Sequence, residues 1–346
     1  GTNSNMIGGR ELPANRTTPG ADELQELFSD MVREGCRYAV MEVSSHALAL
    51  DRVYGINFEV GAFTNLTRDH LDFHKTMEEY GKAKAKLFSV SKKGIVNIDD
   101  QYAGLIMENA KCPIFKISTL DDRADLTAKN IVLKADGVSF SALTIGKLIK
   151  VRLGIPGMFS VYNALTALAV CLNLGVSLED AVKALGECHG IKGRAEVVPT
   201  GRDFSVLIDY AHTPDAVENI IKTVKGYAKG RVVVLFGCGG DRDKTKRPIM
   251  GNIATELADF AVITSDNPRT ENPNAIIEDI LKGVKARKDK YKVIENRREA
   301  IGWAVKNAKP DDVIILAGKG HETYQVIGKE NHHFDEREIV AEFLKK

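Results

Sequence analysis

The second half of the chain alternates regularly between short apolar runs and longer amphipathic stretches, and this alternation constrains the fold more than any other feature. The apolar runs predict strands at 204–209, 231–236, 260–264 and 313–317. The stretches between them predict helices at 214–227, 246–257, 274–286 and 296–307. Strands separated by helices of this length form a parallel sheet with right-handed crossovers. The pattern therefore predicts an α/β, Rossmann-like domain that binds ligands at the carboxyl ends of its strands.

The first half is less regular but also mixes strands with helices. Strands are predicted at 37–43, 58–64 and 94–98, and a hairpin at 130–143 turns at Ala135-Asp136-Gly137. Helices are predicted at 76–90, 158–174 and 178–188. A further helix is predicted to end at about residue 110, with Asp99-Asp100 as its N-terminal cap. The Gly- and Pro-containing segment 192–201 reads as a linker. We therefore expect two domains, residues 1–197 and 198–346.

Charge and cysteine usage exclude several classes of protein. The chain has 346 residues, with 48 Lys and Arg against 47 Asp and Glu, which argues against a protein built to grip nucleic acid or an anionic membrane. The basic stretch 282–298 is interpreted as a solvated helix face and loop. The five cysteines are scattered, and the first residues lack a signal-peptide profile. We expect a protein of a reducing compartment, the cytoplasm.

Three loops with polar and charged residues follow predicted strands of the second half. The glycine-rich segment 236–245 resembles a P-loop, but Asp243 stands where a glycine is required before Lys244-Thr245. Arg242 in this loop suits a carboxylate better, because a guanidinium binds it through two hydrogen bonds. The segments 264–269 and 317–322 add further acids, an amide and another arginine. Three such loops at one sheet edge predict a pocket for a zwitterionic amino acid.

The first half also places polar residues after predicted strands. Glu42 and the following serines suit either Mg²⁺ and phosphate or the cap of the next helix. Asp69, His70, Asp72 and His74 crowd one loop, where metal binding, acid–base chemistry and turn capping all remain open. Lys84 lies near the apolar face of its helix, where burial lowers an amine's pKa.

Together these motifs resemble one family over essentially the whole chain. The segments MEVSSHALALDRV, NLTRDHLDFH, YGKAKAKLF, GIKGRAE, DYAHTPDA, SDNPRTENP and GKGHE occur in the order found in Mur ligases. The resemblance is strongest to the members that add the third peptide residue in peptidoglycan synthesis. The form Asp266-Asn267-Pro268-Arg269 resembles that of members adding meso-diaminopimelate rather than L-lysine.

The resemblance implies roles for individual residues. It implies contacts of the UDP-MurNAc-dipeptide with Thr17, Thr18, Ser44 and Arg52, and of ATP with Asn163, Arg194 and Asp209. It implies diaminopimelate binding by Arg242, Asp266, Asn267, Pro268, Arg269, Gly318 and Glu322. It also implies catalytic roles for Glu42, His70 and Lys84, with Lys84 carbamylated and all three holding magnesium.

The implied activity is an ATP-dependent ligase that joins meso-diaminopimelate to UDP-MurNAc-L-Ala-D-Glu through an acyl phosphate. Its partners are then small-molecule substrates, with no nucleic acid and no membrane, and the protein is expected to be a monomer. Mur ligases carry an N-terminal uridine-binding domain and a Gly-Thr-Asn-Gly-Lys-Thr loop, whereas this sequence begins Gly1-Thr2-Asn3-Ser4-Asn5. We therefore expect an N-terminally truncated P-loop-type ATPase domain, which leaves ATP turnover by the chain alone open.

Two alternatives remain at this point. One is a folylpolyglutamate-synthetase-like ligase of the same architecture, against which the Asp-Asn-Pro-Arg and Gly-Lys-Gly-His-Glu motifs argue. The other is a non-catalytic or partner-dependent remnant that binds diaminopimelate without turning over ATP.

Overall fold

The chain folds into two compact units. The computed structural model describes residues 1–67, 70–188 and 190–345, apart from the side chain of Asp72. The first unit comprises residues 1–129, 141–149 and 162–183, and the second comprises residues 130–140, 150–161 and the chain from Ala184 onward. Both contain helices and strands, so the predicted α/β class is confirmed.

The first half of the chain contains a hairpin, a mixed sheet and seven helices among the described residues. The strands are β1 (Ser4–Ile7), β2 (Arg10–Pro13), β3 (Phe58–Phe63), β4 (Ser91–Asn97), β5 (Ile114–Ser118), β6 (Leu126–Lys134), β7 (Gly137–Thr144) and β8 (Lys147–Leu153). The helices are α1 (Ala21–Arg33), α2 (Ser45–Ala49), α3 (Leu71–His74), α4 (Met77–Ala85), α5 (Ala103–Glu108), α6 (Met158–Asn173) and α7 (Leu178–Gly186). A 3₁₀ turn, Lys86–Ser89, continues α4.

The first sheet has the order β3-β4-β5-β6-β7-β8, and β3 to β6 pair in parallel. Helices α4 and α5 pack on it through a core that includes Phe63, Tyr80, Phe88, Val96 and Ile106. This packing buries Tyr80, Gly81, Ala83 and Ala85 of the helix predicted from residue 76.

Two predictions for this half need correction. Residues 37–43 form no strand: Val40 is 96% exposed, and no described strand pairs with this segment to bury its apolar side chains. Asp99 and Asp100 do not cap a helix directly, because α5 begins at Ala103 after Tyr102. Asp99 instead accepts hydrogen bonds from Ser118, Thr119 and Tyr162.

The second half contains a second sheet, a short hairpin and five helices among the described residues. Its strands are β9 (Glu196–Val198), β10 (Ser205–Asp209), β11 (Val232–Phe236), β12 (Phe260–Ile263), β13 (Tyr291–Val293), β14 (Val313–Ala317), β15 (Tyr324–Ile327) and β16 (Glu330–His333). Its helices are α8 (Pro214–Lys225), α9 (Lys246–Leu257), α10 (Pro273–Leu281), α11 (Arg297–Lys306) and α12 (Glu336–Leu344). The four strands predicted here are confirmed to within one residue at each end.

The second sheet has the order β13-β12-β11-β14-β10-β9, parallel except for the edge strand β9. The predicted linker 192–201 thus includes a strand, because Val197 and Val198 extend the sheet and Val198 packs into its core. Apolar residues of α8, α9 and α10 cover one face of the sheet, and those of α11 and α12 cover the other.

The connections of two neighbouring strands diverge at the carboxyl edge of the sheet, where a ligand cleft is expected. Strand β11 leads into α9 on one face, whereas its neighbour β14 leads through the β15–β16 hairpin to α12 on the opposite face. Where the connections of two adjacent parallel strands diverge, a cleft opens beyond their carboxyl ends. The loops after β11, β12 and β14 border this cleft, and they are the loops that the sequence singled out.

Candidate active site

The three loops after β11, β12 and β14 interlock at one edge of the second sheet. The Gly240 amide donates to the Asn267 carbonyl at 2.9 Å, and a side chain on Gly240 would overlap the Pro268 carbonyl. Thr270 donates through its hydroxyl to Asp241 at 2.8 Å. Gly318 follows β14 with a φ of 118°, and a Cβ there would collide with the Asp266 carboxylate. The glycines thus let the loops approach to backbone contact.

Asn267 holds the loops after β12 and β14 together. Its side-chain oxygen accepts from the Lys319 amine and from the Val326 amide, both at 2.9 Å. Its side-chain amide donates to the Glu322 carboxylate at 2.9 Å. Asn267 is only 4% exposed, and its buried polar atoms are satisfied within the protein. The amide therefore fixes Glu322 in place as well as lining the pocket.

The two arginines expected to bind diaminopimelate lie on the same side of the cleft. Arg269 has a φ of 51° and donates to the Gly240 carbonyl at 2.9 Å. Arg242 is exposed and donates to the Asp241 carbonyl at 3.1 Å. Both side chains lie beside Gly239, where the lack of a Cβ leaves room for them. The Arg269 guanidinium and the aliphatic stem of Arg242 thus flank one glycine, and each arginine can offer a carboxylate two parallel hydrogen bonds.

Each acid of the pocket has a buried cation next to it. Arg297 lies 3.9 Å from the Asp266 carboxylate, and Lys319 lies 3.2 Å from that of Glu322. Both cationic side chains are 0% exposed. Each cation offsets the negative charge of the carboxylate beside it. The loops after β12 and β14 thus hold two acids in place, and the loops after β11 and β12 carry the two arginines.

Sequence reasoning missed both of these cations. Arg297 belongs to the basic stretch 282–298, whose interpretation as a solvated face is wrong at this position. Its guanidinium is buried against Glu336 at 2.8 Å and donates to the Ala317 carbonyl at 2.9 Å. Lys319 stands inside the Gly-Lys-Gly-His-Glu motif, so its position within that motif was the available signal.

The residues expected at the adenosine end of ATP fall in both units. In the second unit, the Asp209 carboxylate accepts from the Ala195 amide at 2.8 Å, and burial raises its pKa. The Arg194 guanidinium lies 5.6 Å from the centre of the Tyr210 ring. Asn163 is exposed on α6, in the first unit. The structure thus brings Asp209 close to the segment that carries Arg194.

The residues expected to contact the UDP-linked substrate cluster in the first unit. The Thr18 hydroxyl donates to the Glu42 carbonyl at 2.9 Å and accepts from the Ser44 amide at 3.0 Å. Arg52 donates to the Thr18 carbonyl at 3.4 Å. The Ser44 side chain also caps α2 by accepting from the Ala47 amide, so the capping interpretation of this segment is confirmed.

Thr17 completes this cluster through a neighbouring threonine. The Thr2 hydroxyl lies 3.2 Å from that of Thr17 and donates to the Glu42 carboxylate at 2.6 Å. Thr17, Thr18, Ser44 and Arg52 therefore lie around Glu42, which is itself exposed.

Lys84 and His70 lie around one aromatic ring. The Lys84 amine is 5.3 Å from the centre of the Tyr80 ring, and the His70 ring is 5.9 Å from it. Burial lowers the pKa of Lys84, with Asp100 opposing this shift. The expected burial of this lysine on the apolar side of α4 is therefore present. Arg68 and Asp69 lie outside the described residues, as does the side chain of Asp72.

The donor chemistry of this region fits magnesium under one condition. Mg²⁺ prefers oxygen ligands, which Glu42 supplies and a lysine amine does not. A carbamate on Lys84 would supply two more oxygens. The neutral amine is the form that reacts with CO₂, and a lowered pKa increases the fraction of lysine in that form. Within the part of the chain that is described, no three His, Cys, Asp or Glu side chains group as metal ligands.

An ion-pair cluster packs against the loop after β11 and holds its backbone in place. Arg247, at 0% exposure, donates to both oxygens of Glu271 at 2.8 and 3.0 Å and to Asp279 at 3.0 Å. Glu271 also accepts from the Asp241 amide at 2.6 Å. The hydrogen bonds from Arg247, followed by that from the Asp241 amide, lower the pKa of Glu271 to about 2.

Glu271→Gln is expected to flatten the acid dependence of stability. The folded pKa of Glu271 lies below the value of 4.5 expected for an unfolded chain, so its ionisation stabilises the fold above pH 4.5, and this contribution is lost as the pH falls toward 2. In that range the variant should take up about one proton fewer on unfolding. Urea unfolding at stepped pH measures this difference, with the exposed Glu278→Gln on α10 as control. Equal slopes for Glu271→Gln and the unsubstituted chain would contradict the assignment.

Comparison with known proteins agrees with this organisation. Residues 1–171 match the Mur ligase middle domain, and residues 193–320 match the glutamate ligase domain of Mur ligases. The chain is 53% identical over its whole length to UDP-N-acetylmuramoyl-L-alanyl-D-glutamate–2,6-diaminopimelate ligase 1 of Clostridium acetobutylicum, and it spans 72% of that protein. It is also 53% identical to UDP-N-acetylmuramoyl-L-alanyl-D-glutamate–2,6-diaminopimelate ligase of Caldanaerobacter subterraneus subsp. tengcongensis. This match covers 99% of the chain and 71% of that protein.

A solved structure shows the same likeness in three dimensions. A structure described as UDP-N-acetylmuramoyl-L-alanyl-D-glutamate–2,6-diaminopimelate ligase superposes with a TM-score of 0.75 at 34% identity, over 98% of this chain and 71% of that one. Among the helices of the described residues, none combines the length and apolar character needed to span a membrane. Two matched domains and a relative sharing half of all residues establish that this chain belongs to the Mur ligase family.

Proposed function

We propose that this chain carries out ATP-dependent joining of meso-diaminopimelate to UDP-MurNAc-L-Ala-D-Glu. The observation that carries the proposal is the close contact of the loops after β11, β12 and β14. They place Arg242 and Arg269 beside Gly239, Asp266 beside Gly318, and Glu322 on the side chain of Asn267. The names of the relatives at 53% identity support the same substrates. The alternative of a folylpolyglutamate-synthetase-like ligase is not favoured, because those relatives carry the name of diaminopimelate ligases.

The charge pattern of the cleft matches the ligand. Diaminopimelate carries two carboxylates and two ammonium groups, so a complementary pocket needs cations and anions in alternation. Arg242 and Arg269 would bind a carboxylate, and Asp266 and Glu322 would receive an ammonium group. Asn267, Pro268 and Gly318 would shape the wall of the pocket and keep these charges at fixed positions.

The remaining substrate contacts follow from the two other clusters. Thr17, Thr18, Ser44 and Arg52 would bind the UDP-MurNAc-dipeptide near Glu42. Asn163, Arg194 and Asp209 would hold the adenosine end of ATP, with Asp209 accepting from a ribose hydroxyl. Membership of the family implies ATP and Mg²⁺ as cosubstrate and metal ion.

The reaction would proceed in two steps. The γ-carboxylate of D-Glu attacks the γ-phosphate of ATP and forms an acyl phosphate, and ADP leaves. The amine of diaminopimelate then attacks the acyl carbon, phosphate leaves, and the amine loses one proton. The chain must hold two anions together in the first step, and fixed positive charge lowers the cost of doing so. The pocket acids would orient the amine for the second step.

Lys84 would act as a carbamate. Its neutral amine adds to CO₂, forming an N–C bond and releasing one proton, and the product carries a negative charge. Glu42, His70 and the carbamate of Lys84 would hold Mg²⁺, which supplies charge neutralisation at the phosphates. The lowered pKa of Lys84 supports this step, because it raises the fraction of neutral amine.

The domain boundary, the oligomeric state, the location and the partners complete the proposal. We assign residues 1–197 to the ATPase-type central domain and residues 198–346 to the amino-acid-binding domain, with strand β9 joining the second sheet across this boundary. The protein would act as a monomer in the cytoplasm, on small-molecule substrates, without nucleic acid or membrane partners.

Phosphate release tests the proposed function. The expected result is release of phosphate and formation of the UDP-MurNAc-tripeptide only when ATP, the UDP-MurNAc-dipeptide and meso-diaminopimelate are all present. Calorimetry on the same protein measures diaminopimelate binding separately. Binding without phosphate release would identify a binding remnant, whereas absence of binding would overturn the assignment of the cleft.

Carbamylation of Lys84 is tested by ¹³C labelling. With ¹³C-bicarbonate, the unsubstituted chain is expected to give a carbamate resonance that is fully lost in Lys84→Ala. The matched control is Lys82→Ala on the same helix, because Lys82 is exposed and paired with Glu78. A carbamate signal that survives in Lys84→Ala, or no signal in the unsubstituted chain, would contradict this role.

A further inference from the structure

Arg337, in the first turn of α12, connects two segments that are distant in sequence. Its guanidinium donates to both carboxylate oxygens of Glu196, one of them through Nε at 2.8 Å. It also donates to the Gly320 carbonyl at 3.1 Å and to Asp335 at 3.1 Å. The side chain is 19% exposed, so these bonds are largely shielded from water. Arg337 therefore joins strand β9 to the loop after β14.

The segment that Arg337 grips is itself fixed against the same loop. Glu196 accepts from the Gly193 amide at 2.6 Å, and the Gly193 carbonyl accepts from the Tyr210 amide at 2.9 Å. A Cβ on Gly193 would overlap the backbone of Gly320 and His321. The chain thus closes a ring from Arg337 through Glu196 and Gly193 to Gly320 and back to Arg337.

The electrostatics of this ring favour a persistent ion pair. Burial works against ionisation of Glu196, but the hydrogen bonds from Arg337 and from the Gly193 amide outweigh it and lower its pKa. A planar guanidinium matches a carboxylate through two parallel bonds and still has donors left for a carbonyl. A lysine amine in the same position would reach fewer of these acceptors at once.

We propose that Arg337 is a positioning residue that holds loop 318–322, and with it Gly318 and Glu322, in the geometry required to bind the amino-acid substrate. The inference rests on the proposed function, since it assigns this loop to the diaminopimelate pocket. Arg337 lies beyond residue 320, where the match to the glutamate ligase domain ends. The three-dimensional contacts of Arg337 are what assign it this role.

Hydrogen exchange of the backbone amides and calorimetry test this role together. In the unsubstituted chain the Gly318 amide donates to the Asp209 carbonyl at 3.0 Å, so exchange of peptides covering 317–323 reports on the loop. Arg337→Ala is expected to accelerate exchange in these peptides by about tenfold and to raise the dissociation constant of meso-diaminopimelate by about tenfold. Peptides from strands β11 and β12 should exchange as before, which a general loss of stability would not allow.

Two further variants sharpen the result. Arg298→Ala is the matched control. Arg298, on α11, forms an exposed ion pair with Glu342 of α12, the helix that carries Arg337. Its substitution should change neither the exchange rate nor the dissociation constant. Arg337→Lys keeps the positive charge but loses the planar guanidinium that binds both oxygens of Glu196. It should accelerate exchange and weaken binding less than Arg337→Ala does. If Arg337→Ala does not fold, Arg337→Lys takes its place in the comparison. Unchanged exchange in the loop, or faster exchange with unchanged affinity, would overturn the proposal.

The outcome also separates this inference from the proposed function. If the unsubstituted chain does not bind meso-diaminopimelate, the proposed function is wrong, and the exchange data alone then decide whether Arg337 holds the loop. If binding is present and Arg337 does not affect it, the proposed function stands and the positioning role is wrong.

Discussion

Arg269→Ala is expected to weaken binding of meso-diaminopimelate by about 100-fold. Losing one partner of a shielded, charge-assisted contact costs about 2–5 kcal/mol, and each 1.4 kcal/mol corresponds to a tenfold change in affinity. Arg269 lies in the cleft beside Gly239, with one guanidinium nitrogen on the Gly240 carbonyl. Calorimetric titration of the purified variant measures the change directly.

Two variants separate recognition from general loss of charge. Arg287→Ala also removes one positive charge from the second half of the chain, but Arg287 is exposed and pairs with Asp289. The affinity of this variant for meso-diaminopimelate should therefore stay within about twofold of that of the unsubstituted chain. Arg269→Lys keeps the charge and loses the bidentate geometry, so it should fall between the two. An unchanged affinity in Arg269→Ala would mean that the pocket is assigned to the wrong loops.

The sequence predicts the frame of the second half because its strands are strongly apolar and regularly spaced. Strand β11, Val232–Phe236, is apolar at every position and buried at every position, as a central parallel strand must be. The carboxyl ends of such strands meet at one edge, so the order of strands and helices along the chain is enough to group the loops after β11, β12 and β14.

The same reasoning cannot find contacts that depend on distant pairing. Strand β16 has the sequence Glu-Asn-His-His, with no apolar alternation, and exists because it pairs with β15. Arg297 reads as a surface residue until Glu336, 39 positions later, is placed against it. Conversely, residues 37–43 read as a buried strand, but apolar content alone does not supply the neighbours that burial requires.

Glu336→Ala is expected to have the largest effect on stability, lowering the free energy of unfolding by about 3–5 kcal/mol. Glu336 and Arg297 are both 0% exposed, with 2.8 Å between carboxylate and guanidinium. Burial raises the pKa of Glu336, and the charge of Arg297 opposes this shift. Removing the carboxylate leaves Arg297 as a buried cation with the Asp266 carboxylate 3.9 Å away. Urea unfolding followed by circular dichroism measures the loss.

A control on the same helix shows whether burial causes this effect. Glu342→Ala removes an acid from α12 as well, but its pair with Arg298 is exposed, and such pairs contribute about 0–1 kcal/mol. Glu336→Gln keeps the shape and one hydrogen-bond acceptor, so it should lie between the two alanine variants. A Glu336→Ala variant that is no less stable than Glu342→Ala would contradict this prediction. It would mean that another acid neutralises Arg297, and that Asp266 does not depend on the Arg297–Glu336 pair for its position.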